Sequence, residues 1–437
     1  MRVTDDPDAF DAGKASVLFA GGIHGNEAAG REMLARAAMT YAWARASPGT
    51  LPWDDRDRAT EYAALVDAVD LWFVPSANPD GFEAGRRTNA RGVDIDRDFR
   101  NAGLDRMGTA SMSWIVGAGT GSEYRDPQPE TAALMSLLST VQFSLVVDVR
   151  GGALATTYPW NGPVVFSQGT VFEPIYDGAL EKVLAGTYAG GHATMRRSKF
   201  FAGGIANAAG WFSAYRTFQD YAFAFAGAPV ISPFIGDDKW PEATELAGVW
   251  TQNRDAIYDV LALARRIGAR FQFVSDNTTA ANVTGGYMFT EPLSDYPARR
   301  GDRRGVWHLG DGEMNPSVRA KLASVRNAVR RATAPANVRP SAEGRDVDSY
   351  SEELADIVLA YQEELALQAK PLVQFYGDVA SALLLPGAYI VGVCAVGFQF
   401  SWAEFVIGAG QTSPLMLLNA TLLPCTHECY SFLCGFM

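Results

Sequence analysis

One local pattern constrains this chain more than any other. A short apolar run, Ser16 to Ala20, ends in Gly21-Gly22 and passes through His24-Gly25-Asn26-Glu27. Beyond Glu27, apolar residues recur at Met33, Ala37 and Tyr41, four apart, the period of one helix face. A buried strand that opens through a glycine turn into a helix belongs to α/β architecture. The form recurs: Val69 to Val74 runs into Asn78-Pro79-Asp80-Gly81, and Phe143 to Val149 runs into Gly151-Gly152. With a further helical stretch over Pro174 to Tyr188, the expectation is an α/β sheet whose chemistry lies at its strand ends.

At 437 residues the chain exceeds one ordinary core, so a main domain and a smaller one are expected. From Ala269 the texture changes to short strand-like pieces such as Phe271 to Val274 and Phe405 to Ile407, separated by glycine and proline turns. Two helical patterns interrupt them. One is basic, with Val318, Leu322, Val325 and Val329 on a stripe, and one is acidic, with Leu354, Ile357, Val358, Tyr361 and Leu365. Ser349 and Glu352 form a capping-box signature for the second, and the opposite charges suggest an inserted helical hairpin. The expected division is therefore 1–268, then 269–422 with a helical insertion at about 313–370, then a cysteine-containing tail at 423–437.

A formal charge of −12 repels phosphate backbones, which argues against nucleic-acid binding despite the basic stretch Arg299 to Arg331. Val379 to Ala403 lacks charge, yet Pro386-Gly387 and the β-branched run Tyr389 to Val393 read as strands rather than a membrane span. The acidic opening Met1 to Pro7 lacks the apolar core of a signal peptide. The cysteines, Cys394, Cys425, Cys429 and Cys434, lie near the C-terminus, so no disulfide holds the large N-terminal region. Cys425 and Cys429 flank His427 at a spacing that fits no standard metal site.

A histidine and a glutamate three apart are a weak signal alone, since Glu27 could simply serve the helix macrodipole. Their place at a strand end gives them weight, because it aims an imidazole and a carboxylate at one point. Further segments succeed them in order: Gly30-Arg31-Glu32, Asn78 to Phe82, Gly92 to Phe99, Asp148 to Ala153 with Tyr158-Pro159, Gly204 to Asn207, Gln219 to Tyr221 and Asp238 to Pro241. From about Val3 to Gly268 the chain resembles the zinc metallocarboxypeptidases, in particular their N/E subfamily. The pieces Leu385 to Tyr389 and Gly397-Phe398 are similar to the transthyretin-like domain that succeeds the catalytic domain there. The resemblance implies a mixed-sheet α/β carboxypeptidase-like domain with helices on both faces, joined to a small all-β transthyretin-like sandwich. It also implies that an early helix and strand of the family pattern are missing, which would leave a sheet edge exposed.

The family's chemistry needs two histidines and a glutamate on zinc, and a carboxylate base for the bound water. By resemblance His24 and Glu27 match the first two metal ligands. The third falls on Arg150, a guanidinium with no lone pair to give. The general base falls on Phe234, which cannot accept a proton, and the substrate-closing tyrosine on Phe212. Arg87 matches an oxyanion-stabilising arginine and Arg97 a carboxylate-binding one, while the asparagine preceding the latter falls on Asp96. A second carboxylate about 4 Å from a peptide's C-terminal carboxylate would cost up to roughly 4 kcal/mol at an effective dielectric of about 20. His192, His308 and His427 are expected to be packing or surface histidines, and Glu291 lies in the β region, too far along the chain to be the base.

The resemblance and its substitutions together imply a family member that is catalytically impaired or inactive, a pseudoenzyme that binds peptide or protein C-termini. The alternative is an active zinc carboxypeptidase that recruits other residues. Zinc is implied as the cofactor by resemblance, through an incomplete site. A secretory or extracellular setting is implied the same way, where the sequons at Asn277, Asn282 and Asn419 would matter. As the sharpest expectation, Arg150 should pair with Glu27 and fill the metal's position.

Overall fold

The computed structural model describes residues 1–6, 14–47, 49–51, 58–100, 126–162, 164–165, 171–172, 179–212, 214–275, 285–292, 306–309, 373–376, 378–395, 401–407 and 416–422. The chain divides into two compact units, one over Met1–Gly268 with Ser381–Leu385, the other beginning at Ala269.

The first unit is built on β1 (Arg2–Val3), β2 (Ala15–Gly21), β3 (Val69–Val74), β4 (Leu145–Val149) and β5 (Ala153–Tyr158). A short pair, β6 (Val164–Val165) and β7 (Val171–Phe172), stands apart from the main sheet, which is completed by β8 (Ile205–Asn207) and β9 (Val230–Gly236). The order is β1-β3-β2-β4-β9-β5-β8. Strands β3, β2, β4 and β9 run parallel, whereas β1 pairs antiparallel with β3 and β5 antiparallel with β9 but parallel with β8, so the sheet is mixed. After β2 the chain supplies β3 on one side and β4 on the other. Such a reversal of strand order opens a crevice at the carboxyl ends of the parallel strands.

β2 and β4 are buried along their whole lengths, as expected of strands covered on both faces. One face carries Val17, Phe19, Leu71, Phe73, Leu145, Val147 and Val149. Against it pack α1 (Ala28–Ala46), α2 (Ala59–Ala68), a helix over Ala179–Gly191 and a helix over Leu246–Ala264. Met33, Ala37 and Tyr41 of α1 are buried, the stripe that the four-residue spacing predicted. A short helix over Phe218–Ala224 packs against β4 and β9. The alternate residues of β4 and β9, including Asp148 and Ser232, point away from the large core.

Two glycines set the close approaches. A Cβ on Gly25 would fall 2.1 Å from the carbonyl carbon of Gly81 and 2.5 Å from the Arg86 carbonyl oxygen, so only glycine lets the two loops touch. Gly152 has φ of 90°, and a Cβ there would strike the Lys239 stem at 2.4 Å.

The second unit contains a three-stranded sheet, β14-β10-β17, and a five-stranded sheet, β12-β16-β15-β11-β13. These are β10 (Ala269–Ser275), β11 (Gly285–Pro292), β12 (Val306–Leu309), β13 (Val373–Tyr376), β14 (Val379–Ala382), β15 (Gly387–Ala395), β16 (Ser401–Ile407) and β17 (Met416–Leu422). The charge-free run from Val379 thus forms strands, and no helix among the described residues is long and apolar enough to cross a membrane. Glu291 lies in β11 of this unit. The expected helical hairpin at about 313–370 and the tail at 423–437 fall outside the described residues.

Candidate functional site

The residues singled out in the sequence meet at the ends of β2, β4 and β9. His24 and Glu27 lie just beyond β2, Arg150 just beyond β4, and the bridge Arg150 to Phe234 ties that end to β9. Asn78 staples the neighbouring turn: its Oδ1 accepts from the Gly81 N–H at 2.9 Å, and its Nδ2 donates to the Ile23 and Arg87 carbonyls at 3.3 Å each.

Glu27 occupies the N-cap position of α1 but makes no capping bond. Its side chain turns inward instead. Oε2 accepts from the Gly151 N–H at 3.2 Å, and Oε1 accepts from Lys239 Nζ at 2.8 Å and His24 Nδ1 at 2.9 Å. A helix start has therefore given up a cap in order to hold a buried charge cluster. Burial alone would raise the Glu27 pKa, but His24, Arg150 and Lys239 bring it down to about 2.

Burial pulls the His24 pKa down, yet Asp94 and Glu27 outweigh it and the net shift is upward. Nδ1–H therefore donates to Glu27, while Nε2 stands 3.3 Å from Asp94 Oδ1 and 3.8 Å from Asp96 Oδ2. Two guanidinium nitrogens crowd Nδ1, Arg87 Nη1 at 3.3 Å and Arg150 Nη1 at 3.5 Å. Arg87 itself donates through Nε to Asp94 Oδ2 at 2.8 Å.

Arg150 is buried, with 4 % of its surface exposed. Its Nε donates to Asp148 Oδ2 at 2.7 Å, and its Nη2 lies 2.6 Å from the same oxygen and 2.8 Å from Asp96 Oδ1. Asp96 Oδ1 also accepts from the Phe218 N–H at 3.0 Å, and its Oδ2 accepts from Arg97 Nη1 at 3.0 Å. Despite burial, Arg150 and Arg97 hold the Asp96 carboxyl down at about 2. Burial raises Asp148 to about 6, where the Arg150 guanidinium and the Ser232 hydroxyl keep it ionised at neutral pH.

The expected pairing of Arg150 with Glu27 is corrected by this geometry. Arg150 directs its ion pairs to Asp148 and Asp96, and Glu27 takes its cation from Lys239. The reason is reach: the guanidinium leaves β4 beside Asp148, two residues back on the same strand, whereas Lys239 lies over Gly152 and can extend to Glu27. Asp96, expected to repel a peptide carboxylate, has its charge already matched by two arginines. Phe212 is 64 % exposed, and Phe234 packs edge to face on Trp211 at 5.0 Å. His192 is buried and accepts from the N–H groups of Thr194 and Met195, a packing role.

Lys239 and Asp94 received no role from the sequence. The one signal for Lys239 was electrostatic: a buried Glu27 without a metal requires a cation, and Lys239 belongs to the family-like segment Asp238 to Pro241.

The donor set does not fit a zinc ion. His24 Nδ1 and Glu27 Oε1 are joined to each other, and Arg150, which the resemblance places at the third ligand position, is a guanidinium without a lone pair. An ammonium and two guanidinium groups surround the pair where a dication would need room. Among the described residues, no group of three or more His, Cys, Asp or Glu side chains is placed to hold a metal ion.

The first unit is a mixed α/β sheet covered by helices, with His24 and Glu27 just past the end of a central strand. The chain belongs to the zinc carboxypeptidase family, Peptidase_M14, which matches residues 1–256. It is 29% identical over 275 residues to carboxypeptidase SOL1 of Arabidopsis thaliana, covering 63% of this chain and 50% of that protein. It is 29% identical over 276 residues to carboxypeptidase E of Caenorhabditis elegans, covering 56% of each. The chain thus spans about half the length of these two relatives. Among solved structures it is similar to thrombin activatable fibrinolysis inhibitor, at a TM-score of 0.43 and 13% identity, over 60% of this chain and 64% of that one.

Proposed function

We propose that this chain is a zinc carboxypeptidase relative that no longer hydrolyses peptides and uses the inherited cleft to bind peptide or protein C-termini. The observation that carries this reading is the Arg150 guanidinium, buried at the third ligand position and saturated by Asp148 and Asp96. By resemblance, the positions of a family histidine and asparagine carry Arg150 and Asp96 here. One introduces a buried cation and the other supplies its anion 2.8 Å away, so the pair is self-consistent without metal. Phe234 adds a second, independent loss, because no carboxylate stands there to activate water.

The β-rich unit, with its sheets of five and three strands, fits the transthyretin-like sandwich of the N/E subfamily. A secretory setting fits the same kinship.

Metal analysis of purified protein, combined with release of C-terminal lysine or arginine from test peptides, decides the matter. The expected result is no stoichiometric zinc and no chelator-sensitive turnover, with C-terminal peptides retained by binding. Stoichiometric zinc with chelator-sensitive release would establish the alternative, an active carboxypeptidase.

A further inference from the structure

Outside the charged centre, one surface is anomalous for so acidic a protein. Between Glu181 and Asp220 the sequence carries no acidic residue and five basic ones, Lys182, Arg196, Arg197, Lys199 and Arg216, in a chain of net charge −12. Arg196, Arg197 and Lys199 are exposed, and directly after them Phe200 is 89 % exposed. Trp211, at 43 %, and Phe212, at 64 %, expose two more aromatic rings, and Trp211 meets Phe201, the residue after Phe200. Large rings left in water gain nothing for the fold, and a patch that combines them with cations has the composition of a recognition surface.

The turn that carries Trp211 is held by side-chain hydrogen bonds. Asn207 Oδ1 accepts from the Gly210 N–H at 3.2 Å, which caps the turn Ala208–Trp211, and Asn207 Nδ2 donates to the Pro159 carbonyl at 2.8 Å. A chain of contacts links it to the charged centre. Phe201 meets Trp211 edge to face at 5.0 Å, Trp211 meets Phe234 edge to face at 5.0 Å, and Phe234 bridges to Arg150. A file of three rings therefore runs from the backbone bridge at Arg150 to Phe201, two residues after Lys199.

The geometry points to a binding ridge for a peptide segment carrying both acidic and aromatic side chains. Its apolar side chains lie along the ring file, and its carboxylates face Arg196, Arg197 and Lys199. The inference rests on the reading of this cleft as a peptide-binding one and names the class of ligand it takes. A peptide is favoured over an anionic membrane surface because the ring file runs back toward the buried charged centre, which a bilayer cannot follow.

The test uses the full chain and a fluorescein-labelled peptide of alternating glutamate and phenylalanine, blocked at both ends so that no C-terminal carboxylate contributes. Saturable binding is expected, weakened by salt and absent for the lysine-for-glutamate counterpart. The triple variant Arg196→Glu, Arg197→Glu, Lys199→Glu and, separately, Phe200→Ser should each weaken binding about tenfold or more while thermal unfolding stays unchanged. All four side chains are exposed, so folding should not be at issue. Three results overturn the inference: no saturable binding of the blocked peptide, equal binding of the lysine peptide, or affinity untouched by both variants. Co-sedimentation with phosphatidylserine vesicles that is lost in these variants, in place of peptide binding, also overturns it. Binding of a free C-terminal peptide but not the blocked one would remove the ridge and leave the proposed function standing, whereas zinc-dependent turnover would remove that function itself.

Discussion

Arg150 is a buried cation held between two carboxylates. Its guanidinium neutralises Asp148 and Asp96 in a buried setting, so truncation would strand two carboxylates. Arg150→Ala should therefore destabilise the domain by about 3–5 kcal/mol in urea unfolding, well above a surface change. Asp96→Asn in the same chain should recover part of that loss, because one of the stranded charges disappears; strictly additive effects would mean that the pair is uncoupled. Arg150→His alone returns a lone pair to the third ligand position but leaves Phe234 in place. Some zinc affinity and no turnover are expected, and measurable peptidase activity in that variant would refute the assignment of Phe234.

At the scale of elements, loops and helix starts have been recruited to the charge cluster. Glu27 leaves α1 uncapped, and Gly25 lets its loop rest against the backbone of Gly81 to Arg86. Gly25→Ala cannot relax by moving a flexible side chain, since the clashing atoms are backbone. A loss on the order of 1–3 kcal/mol, read from the thermal midpoint, is expected. The helix over Phe218–Ala224 carries a different liability. Asp220 is buried, and its pKa is raised from 3.8 to about 7 by burial, while Asn161 donates to its Oδ1. A raised carboxylate pKa means that the folded state holds a proton the unfolded chain releases. Stability from this group is therefore lost as pH rises from about 4 to 7. Asp220→Asn keeps an acceptor for Asn161 and removes the ionisation, so it should stabilise the protein near pH 8 and do little near pH 4. An equal effect at both would exclude Asp220 as the titrating group.

At the scale of the whole molecule, acid acts in the opposite direction through Glu27 and Asp96. Both are held at about 2 in the folded state, below their ordinary values of 4.5 and 3.8. Their contribution is complete above about pH 4.5 and is lost as pH falls toward 2. Urea midpoints should drop between about pH 4.5 and pH 2, and Glu27→Gln should flatten that limb. Much of this architecture is legible in the sequence alone. The apolar runs ending in glycine became β2, β3 and β4, and the spacing of Met33, Ala37 and Tyr41 became the buried face of α1, because strand and helix periods are local properties. His24 and Glu27 meet Arg150 because they lie just past the ends of the adjacent strands β2 and β4, while Arg87 and Asp96 reach them from the segment between β3 and β4. Which acid meets which base did not. Lys239 reaches Glu27 across 212 positions of sequence, and Arg150 turns to Asp148 and Asp96 rather than to Glu27. Motif order assigns residues to one end of a sheet, but side-chain direction, reach and the competition among buried charges for partners exist only once the strands are packed, and these decided the network.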